Sequence, residues 1–197
     1  MRELVYYVAV SLDGFIAGPE GQFDAFLVEG DHMDAGIDRF PDAIPTRIAE
    51  ALEIDQGTGP FDTVLMGANT YEVGLPDMTS PYRHLEQFVL THRSYPPAEG
   101  VTFTDRDPVE LVRELKAMDG KDIWLCGGGA LASTLSGEID RLVLKRQPLL
   151  FGAGIPLFAP GTYRPELFRR VSDCRFGSGV SVTEYVRARG KQNAPPR

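Results

Sequence analysis

The segment DIWLCGGGALASTL, residues 122–135, constrains the fold more than any other part of the sequence. A short apolar run ends in three consecutive glycines, and good helix formers follow them. Glycine costs roughly 1 kcal/mol relative to alanine inside a regular element, so the three glycines mark a sharp turn. The segment therefore predicts a strand, a tight turn and a helix, with backbone at the turn approaching another segment or a ligand.

The same alternation of strands and helices extends along the chain. Strands are predicted at residues 4–11, 63–66, 87–91, 101–104, 123–126 and 139–145, and helices at residues 45–54, 69–73, 108–118 and 130–135. Residues 167–175 and 180–187 flank the turn FGSG, a pattern typical of a hairpin. We therefore predict one α/β domain over residues 1–190, with a mainly parallel central sheet, helices on both faces and a C-terminal antiparallel hairpin. Residues 191–197 are expected to form a disordered tail.

Composition excludes several classes of function. A net charge of -8 and a pI of about 4.9, without any basic run, argue against a nucleic-acid-binding surface. No apolar stretch reaches the roughly 18 residues of a membrane-spanning helix, and the N-terminal apolar run is interrupted too soon for a secretory signal. The two cysteines and three histidines lack metal-ligand spacing, so we expect no metal site and a reduced, cytoplasmic setting.

Glycines follow three of the predicted strands, at Gly14 and Gly18, at Gly67, and at Gly127 to Gly129. Ligands of parallel sheets bind beyond the carboxyl ends of the strands, where bare main-chain N–H groups favour anions. We therefore expect a phosphate-bearing ligand at these turns. The alternative is that the glycines allow close packing of helix on strand.

The run GGGALA also satisfies the Gly-x-Gly-x-x-Ala pattern of a dinucleotide-binding Rossmann unit. Such a unit has a carboxylate for the ribose at the end of the next strand. Here that strand ends in Lys145 and Arg146, and too little chain follows to complete the sheet. A Rossmann fold is therefore disfavoured.

Four motifs, in this order and spacing, resemble the dihydrofolate reductase-like superfamily. They are VAVSLDGFIA at residues 8–17, VLMGANTYE at 64–72, VLTHR at 89–93 and WLCGGG at 124–129. Within that superfamily, SLDG at 11–14 and PLLFGAGIPLF at 148–158 are more similar to the reductase domain of riboflavin biosynthesis and its stand-alone relatives. The resemblance runs from about residue 4 to residue 187 and implies a three-layer dihydrofolate reductase-like fold.

The resemblance also implies that the chain binds NADPH. Ala9 resembles the residue whose backbone meets the nicotinamide amide. The turn that holds the pyrophosphate corresponds to Gly67, Ala68, Asn69 and Thr70. The strand end that packs on adenine and grips the 2′-phosphate corresponds to Leu90, Thr91, His92 and Arg93, and Arg93 offers a planar fork for that phosphate. The glycine turn beneath the diphosphate and nicotinamide corresponds to Gly127, Gly128, Gly129, Ala130 and Leu131.

No motif marks the proton donor. Dihydrofolate reductases resemble one another in an acid on the helix after the first loop, and Asp42 lies in roughly that region. Asp13, in the SLDG motif beside the expected nicotinamide pocket, is the preferred catalytic candidate, and Asp24 is a third. Each could instead be a solvated aspartate or one that bonds its own turn.

The resemblance implies an NADPH-dependent reductase that transfers a hydride to a small heterocyclic substrate, pteridine- or pyrimidine-like. The zinc deaminase motifs that usually accompany the riboflavin-pathway reductase are absent from the sequence. The alternative is a non-catalytic nicotinamide-nucleotide-binding protein, such as a sensor or a degenerate relative. By the same resemblance the chain is expected to form a homodimer, and we expect neither a nucleic-acid nor a membrane partner.

Overall fold

The computed structural model describes residues 1–188, so the tail predicted at 191–197 lies outside the described residues. The strands are β1 Leu4–Val10, β2 Phe15–Ala17, β3 Phe61–Gly67, β4 Glu86–Leu90, β5 Val101–Thr104, β6 Asp122–Gly127, β7 Arg141–Arg146, β8 Ile155–Pro156, β9 Phe168–Arg175 and β10 Ser181–Arg187. The α-helices are α1 Asp31–Arg39, α2 Thr46–Ala51, α3 Ala68–Glu72, α4 Pro108–Ala117 and α5 Gly129–Thr134. Short 3-10 turns cover Pro41–Ala43, Gln56–Thr58 and Ser136–Glu138.

Eight strands form one sheet in the order β5-β4-β3-β6-β1-β7-β10-β9. The six strands from β5 to β7 in this order pair in parallel, whereas β10 is antiparallel to both β7 and β9. This arrangement confirms the mainly parallel sheet and the C-terminal antiparallel hairpin. Strands β2 and β8 form a separate two-stranded sheet that the sequence did not predict, because two or three residues are too few to show a period.

The central sheet separates two apolar cores, which confirms the three-layer architecture. On one face, α4 and α5 contribute Leu111, Leu115 and Ala132 to a cluster that includes residues of β1, β6 and β7. On the other face, Phe40 at the end of α1 and Tyr71 of α3 pack with further side chains of the same strands. Parallel strands covered on both faces read as continuous apolar runs, as the sequence of β1 does.

Helix α4 shows why the local predictions held. The side chain of Asp107 accepts hydrogen bonds from the main-chain N–H groups of Val109 and Glu110, and Pro108 occupies the first helical position, where no N–H is needed. Residues 20–42, which show no clean apolar period in the sequence, contain one α-helix, α1, with Asp31 and Asp34 in its first turn. Among residues 1–188, no helix combines the length and the apolar character needed to cross a bilayer.

Candidate functional site

The two glycine turns at the carboxyl ends of β3 and β6 lie side by side. These strands are neighbours in the sheet, and Met66 pairs with Gly127 at their ends. A Cβ atom placed on either Gly127 or Gly128 would lie 3.7 Å from the hydroxyl oxygen of Thr70. The turns at residues 67–70 and 127–131 therefore lie next to each other at one edge of the sheet, and the space between them is called the cleft below.

The cleft presents main chain and one hydroxyl group rather than bulky side chains. A Cβ on Gly67 would meet no atom within 4 Å, and Gly128 is half-buried beside Thr70. Neither α3 nor α5 has a side-chain cap, so no capping side chain covers the first-turn N–H groups of either helix. These groups fit the phosphates of a dinucleotide, which accept hydrogen bonds from N–H and O–H donors.

The three consecutive glycines have different physical causes. Gly127 has a φ of +153°, in a region that residues with a side chain rarely adopt. A Cβ on Gly129 would lie 2.2 Å from the carbonyl oxygen of Pro156, so this glycine is required for packing against the strand β8. Packing alone therefore explains why residue 129 is a glycine. Of the three glycines, only Gly128 has both ordinary dihedral angles and free space for a side chain.

Arg93, the predicted 2′-phosphate ligand, is held by a carboxylate that the sequence prediction missed. Its Nη1 atom lies 2.9 Å from both carboxylate oxygens of Glu72, the last residue of α3. The hydroxyl of Tyr95 donates to the same carboxylate at 2.6 Å. The hydrogen bonds from Tyr95 and Arg93 lower the pKa of Glu72 below its ordinary value. A phosphate that binds Arg93 therefore competes with an ionised internal carboxylate for the Nη1 atom.

The other predicted cofactor residues lie on the same edge of the sheet. Ala9 and Leu90 are half-buried near the ends of β1 and β4, and the hydroxyl of Thr91 accepts a hydrogen bond from the N–H of Arg93. Exposed side chains belong to Asn69, His92 and Ala130, whereas Ala68 and Leu131 are half-buried. Because β1, β3, β4 and β6 are parallel neighbours in the sheet, these residues share one end of it.

Asp13 joins the two motifs that resemble the riboflavin-pathway reductase domain. Its carboxylate accepts hydrogen bonds from the Ser11 hydroxyl at 2.6 Å and from the N–H groups of Phe151 at 3.1 Å and Gly152 at 2.7 Å. The Ser11 hydroxyl, followed by these main-chain donors, lowers the pKa of Asp13. An acid that is ionised at neutral pH has no proton to give, so we assign Asp13 a structural role and no longer propose it as a proton donor.

Replacing Asp13 with alanine is expected to speed amide hydrogen exchange at Phe151 and Gly152 several-fold, because both N–H groups lose a charged acceptor. Asp31→Ala is the matched control, since the Asp31 carboxylate binds the N–H of Gly177 in the same way. The native pKa of Asp13 is lowered, so the protection is present at neutral pH and is lost only as the pH falls below its ordinary 3.8. Unchanged exchange at residues 151 and 152 would contradict the role given to Asp13.

Asp42 lies at the opposite end of the sheet from the cleft, so the structure does not bring it together with the predicted cofactor residues. Its carboxylate accepts a 2.5 Å hydrogen bond from the N–H of Phe61, the first residue of β3. Six residue steps along a strand, about 20 Å, separate Phe61 from Gly67. The carboxylate is fully buried, and burial raises its pKa to about 6.

Because its pKa is raised, Asp42 is expected to make the stability of the protein depend on pH. Between about pH 4 and pH 6 the native state holds a proton that the unfolded state has lost, so the free energy of unfolding falls with rising pH and levels off above pH 6. The Asp42→Asn variant lacks this group, and its free energy of unfolding is expected to lack that fall. Urea unfolding of both proteins at pH 4, 5, 6 and 7 measures the difference. Parallel pH profiles would show that Asp42 is not perturbed.

The structure also places Asp24, the third acid candidate, and Lys145. Asp24 is exposed, with no hydrogen bond or ion pair to any residue within 1–188. Lys145, which the sequence analysis did not assign to the site, pairs with Ala9 of β1 and with Val182 of β10. The sequence feature that could have identified Lys145 is its position in the strand RLVLKR, where the alternation of side chains puts a lysine on the same face as the apolar Val143. Within residues 1–188, no group of three or more His, Cys, Asp and Glu side chains could hold a metal ion.

Comparisons with known proteins agree with this geometry. The model of the RibD C-terminal domain matches residues 2–182. Uncharacterized protein YwjB of Bacillus subtilis (strain 168) is 33% identical over 195 residues, which are 95% of this chain and 99% of that protein. The solved structure of a Shewanella sp. PV-4 protein, provisionally assigned to riboflavin biosynthesis, is similar with a TM-score of 0.69 and 25% identity over 96% of this chain and 100% of its own.

A bifunctional enzyme of Thermotoga maritima shares the fold. The diaminohydroxyphosphoribosylaminopyrimidine deaminase/5-amino-6-(5-phosphoribosylamino)uracil reductase matches with a TM-score of 0.64 and 17% identity, over 95% of this chain and 57% of that one. These matches confirm the resemblance to the riboflavin-pathway reductase domain. The chain belongs to the RibD C-terminal domain family.

Proposed function

We propose that this protein is an NADPH-dependent reductase that transfers a hydride to a small heterocyclic substrate of the pteridine or pyrimidine type. The observation that carries the proposal is the cleft between the turns at residues 67–70 and 127–131, which is bordered by main-chain N–H groups and by the Thr70 hydroxyl. Open main chain at neighbouring strand ends suits a dinucleotide, whose phosphates accept several hydrogen bonds at once.

In this proposal each end of the cofactor has its own contacts. Gly67, Thr70 and Gly128 hold the diphosphate, and Arg93 binds the 2′-phosphate of the adenosine ribose after releasing Glu72. Ala9, at the end of β1, orients the nicotinamide amide through its backbone. When bound, NADPH supplies a hydride from its nicotinamide ring, and the protein supplies orientation and a proton.

The proposed substrate class follows from the family and from the loop tied down by Asp13. The Thermotoga enzyme is named as a reductase of an aminouracil, a pyrimidine. In this chain the segment 148–158 is anchored at Leu12, whose N–H donates to the carbonyl of Leu149, and at Asp13. A loop fixed beside the end of β1 supports a defined pocket next to the nicotinamide position.

Nucleotide titration followed by an oxidation assay tests the proposal. Trp124 is the single tryptophan and lies three residues before Gly127, so NADPH bound in the cleft is expected to quench it and to emit by energy transfer. NADPH oxidation is then followed at 340 nm with dihydrofolate, 5-amino-6-(5-phosphoribosylamino)uracil and quinones. Absence of NADPH and NADH binding below millimolar concentration would overturn the proposal. Binding without oxidation of any acceptor would instead favour the non-catalytic nucleotide-binding protein.

We also propose that the protein is a homodimer in the cytoplasm, as the resemblance and the composition predict. Sedimentation velocity over a range of protein concentrations tests the dimer, since a monomer near 21.7 kDa is readily separated from twice that mass. Fractionation of the cells that make the protein tests the location.

A further inference from the structure

Lys145 lies on the sheet directly beside the position predicted for the nicotinamide. In the parallel pairing of β1 with β7, Lys145 is the partner of Ala9, and on its other side it pairs with Val182 of β10. Paired residues of adjacent strands project to the same face of a sheet. The Lys145 side chain therefore shares a face with Ala9, at the carboxyl end of β1 and β7.

The face that Lys145 shares is the one covered by α1. A Cβ on Gly36 of α1 would lie 3.7 Å from the Tyr7 hydroxyl, and Arg39 of α1 forms an ion pair with Glu184 of β10. Tyr7 and Glu184 belong to this face, because each stands two residues from a partner of Lys145 along its strand. Lys145 thus lies on the side of the sheet that α1 covers, at the same end of the sheet as the cleft.

No charged partner accounts for Lys145 in the described part of the chain. The elements packed on this side carry the following titratable and charged groups: Tyr7, Cys126, Arg141, Glu184, Asp31, His32, Asp34, Asp38 and Arg39. Glu184 is engaged with Arg39, Arg141 is engaged with Glu3, and Asp31 binds residues 177 and 178. Within residues 1–188, the Lys145 side chain makes no hydrogen bond or ion pair; only its backbone is paired, with β1 and β10.

A half-buried lysine without a partner is costly, since burial disfavours the charged form. Burial alone lowers the pKa of Lys145 from its ordinary value. A lysine in this setting releases its proton more readily than an exposed one, as general acids that operate near neutral pH must. Its neighbour on the other face, Arg146, is exposed and solvated.

We propose that Lys145 is a catalytic residue of this reductase, which binds the carbonyl or imine group of the substrate beside the nicotinamide and donates the proton that accompanies the hydride. The inference rests on the proposed function and narrows the substrate to a compound with a polar C=O or C=N bond. It also supplies the donor that neither Asp13 nor Asp42 provides.

The proton and the hydride go to the two atoms of one double bond. The Lys145 ammonium donates its proton to the oxygen or nitrogen of the double bond, while the carbon of that bond takes the hydride with its electron pair. The substrate is reduced by two electrons to an alcohol or amine, and NADPH is oxidised to NADP⁺. The neutral Lys145 amine then recovers a proton from water.

The first test needs no substrate. The chain has four lysines, Lys116, Lys121, Lys145 and Lys191, so protein labelled with ¹³C-lysine gives four resolvable Cε signals, assigned with Lys145→Met. Saturating NADP⁺ is expected to move the Lys145 signal and to leave Lys116 and Lys121, at the other end of the sheet, in place. If Trp124 fluorescence shows that the nucleotide binds but the Lys145 signal does not move, the inference is overturned and the proposed function stands. No binding at all would remove both.

The second test separates proton donation from packing. Lys145→Met is expected to bind NADPH within about threefold of the wild type and to oxidise it roughly 100-fold or more slowly with 5-amino-6-(5-phosphoribosylamino)uracil or dihydrofolate. Lys145→Arg keeps the charge, but a guanidinium gives up a proton far less readily than an ammonium, so its KM should hold while kcat falls. Arg146→Met is the matched control and should behave as the wild type. Turnover by Lys145→Met at the wild-type rate would overturn the inference, and if the wild type reduces neither acceptor the NMR result decides.

Discussion

Replacing Gly128 with valine is expected to weaken NADPH binding about 100-fold while the protein stays folded. Forcing side-chain atoms into an occupied space costs roughly 1–3 kcal/mol, and about 1.4 kcal/mol corresponds to a tenfold change in affinity. Gly128 has φ and ψ of -44° and 153°, which valine can adopt. A Cβ there meets only the Thr70 hydroxyl, at 3.7 Å, so the added methyl groups occupy the cleft rather than the core.

Gly129→Ala is the matched control, because it adds a single carbon at the next residue, against the backbone of Pro156 rather than beside Thr70. Its Cβ would lie 2.2 Å from the Pro156 carbonyl oxygen, so this variant is expected to lose stability by roughly 1–3 kcal/mol. Thermal unfolding and NADPH titration of both variants give the comparison. If Gly128→Val unfolds, or binds NADPH as the wild type does, the cleft is not the nucleotide site and the glycines serve packing alone.

Arg93→Ala is expected to weaken NADPH binding roughly 10- to 100-fold and to leave NADH binding within about twofold, since only NADPH carries the 2′-phosphate. The Arg93 side chain is 57% exposed and remains free to turn from Glu72 towards a ligand. Exposed ion pairs of this kind contribute little to stability, so the fold should be unaffected. Arg83→Ala removes a comparable exposed pair, with Glu50, near the start of β4 and should change neither affinity.

Glu72→Gln tests the Arg93–Glu72 ion pair by changing its acidic partner. The amide keeps the size of the side chain but no longer holds Arg93 by charge, so NADPH affinity should rise a few-fold and NADH affinity should not. Titrations of both nucleotides at low and moderate salt measure the effect. Equal weakening of NADPH and NADH by Arg93→Ala would show that the 2′-phosphate is bound elsewhere, and weaker NADPH binding by Glu72→Gln would show that Glu72 itself contacts the nucleotide.

The strands of the sheet could be predicted from the sequence to within one or two residues. Segments such as β1 and β6 are continuous apolar runs bounded by turn residues, and such runs suit a strand buried on both faces. The cap at Asp107 and the terminal hairpin were equally local. The pairing of β2 with β8 was not predictable, because it joins two very short segments about 140 residues apart.

In the candidate site too, features that depend on local sequence could be predicted, and features that depend on long-range contacts could not. Gly67 and Gly128 were predictable because a glycine between a strand and a helix is a local signal, and parallel strands bring such turns to one edge. The roles of the acids were not, since Asp13 and Asp42 are both aspartates in loops and differ only in what the fold places against them. One accepts hydrogen bonds from residues 151 and 152, and the other is buried beside Phe61.

The sequence by itself determined which segments become strands and helices and where the backbone is left bare, because these properties depend on residues a few positions apart. Only the tertiary structure decided that Glu72 holds Arg93, that Gly129 packs on Pro156 and that Lys145 lies beside Ala9. Each of these contacts joins residues 21 to 136 positions apart, and side-chain chemistry at such separations depends on strand order, which no local pattern encodes.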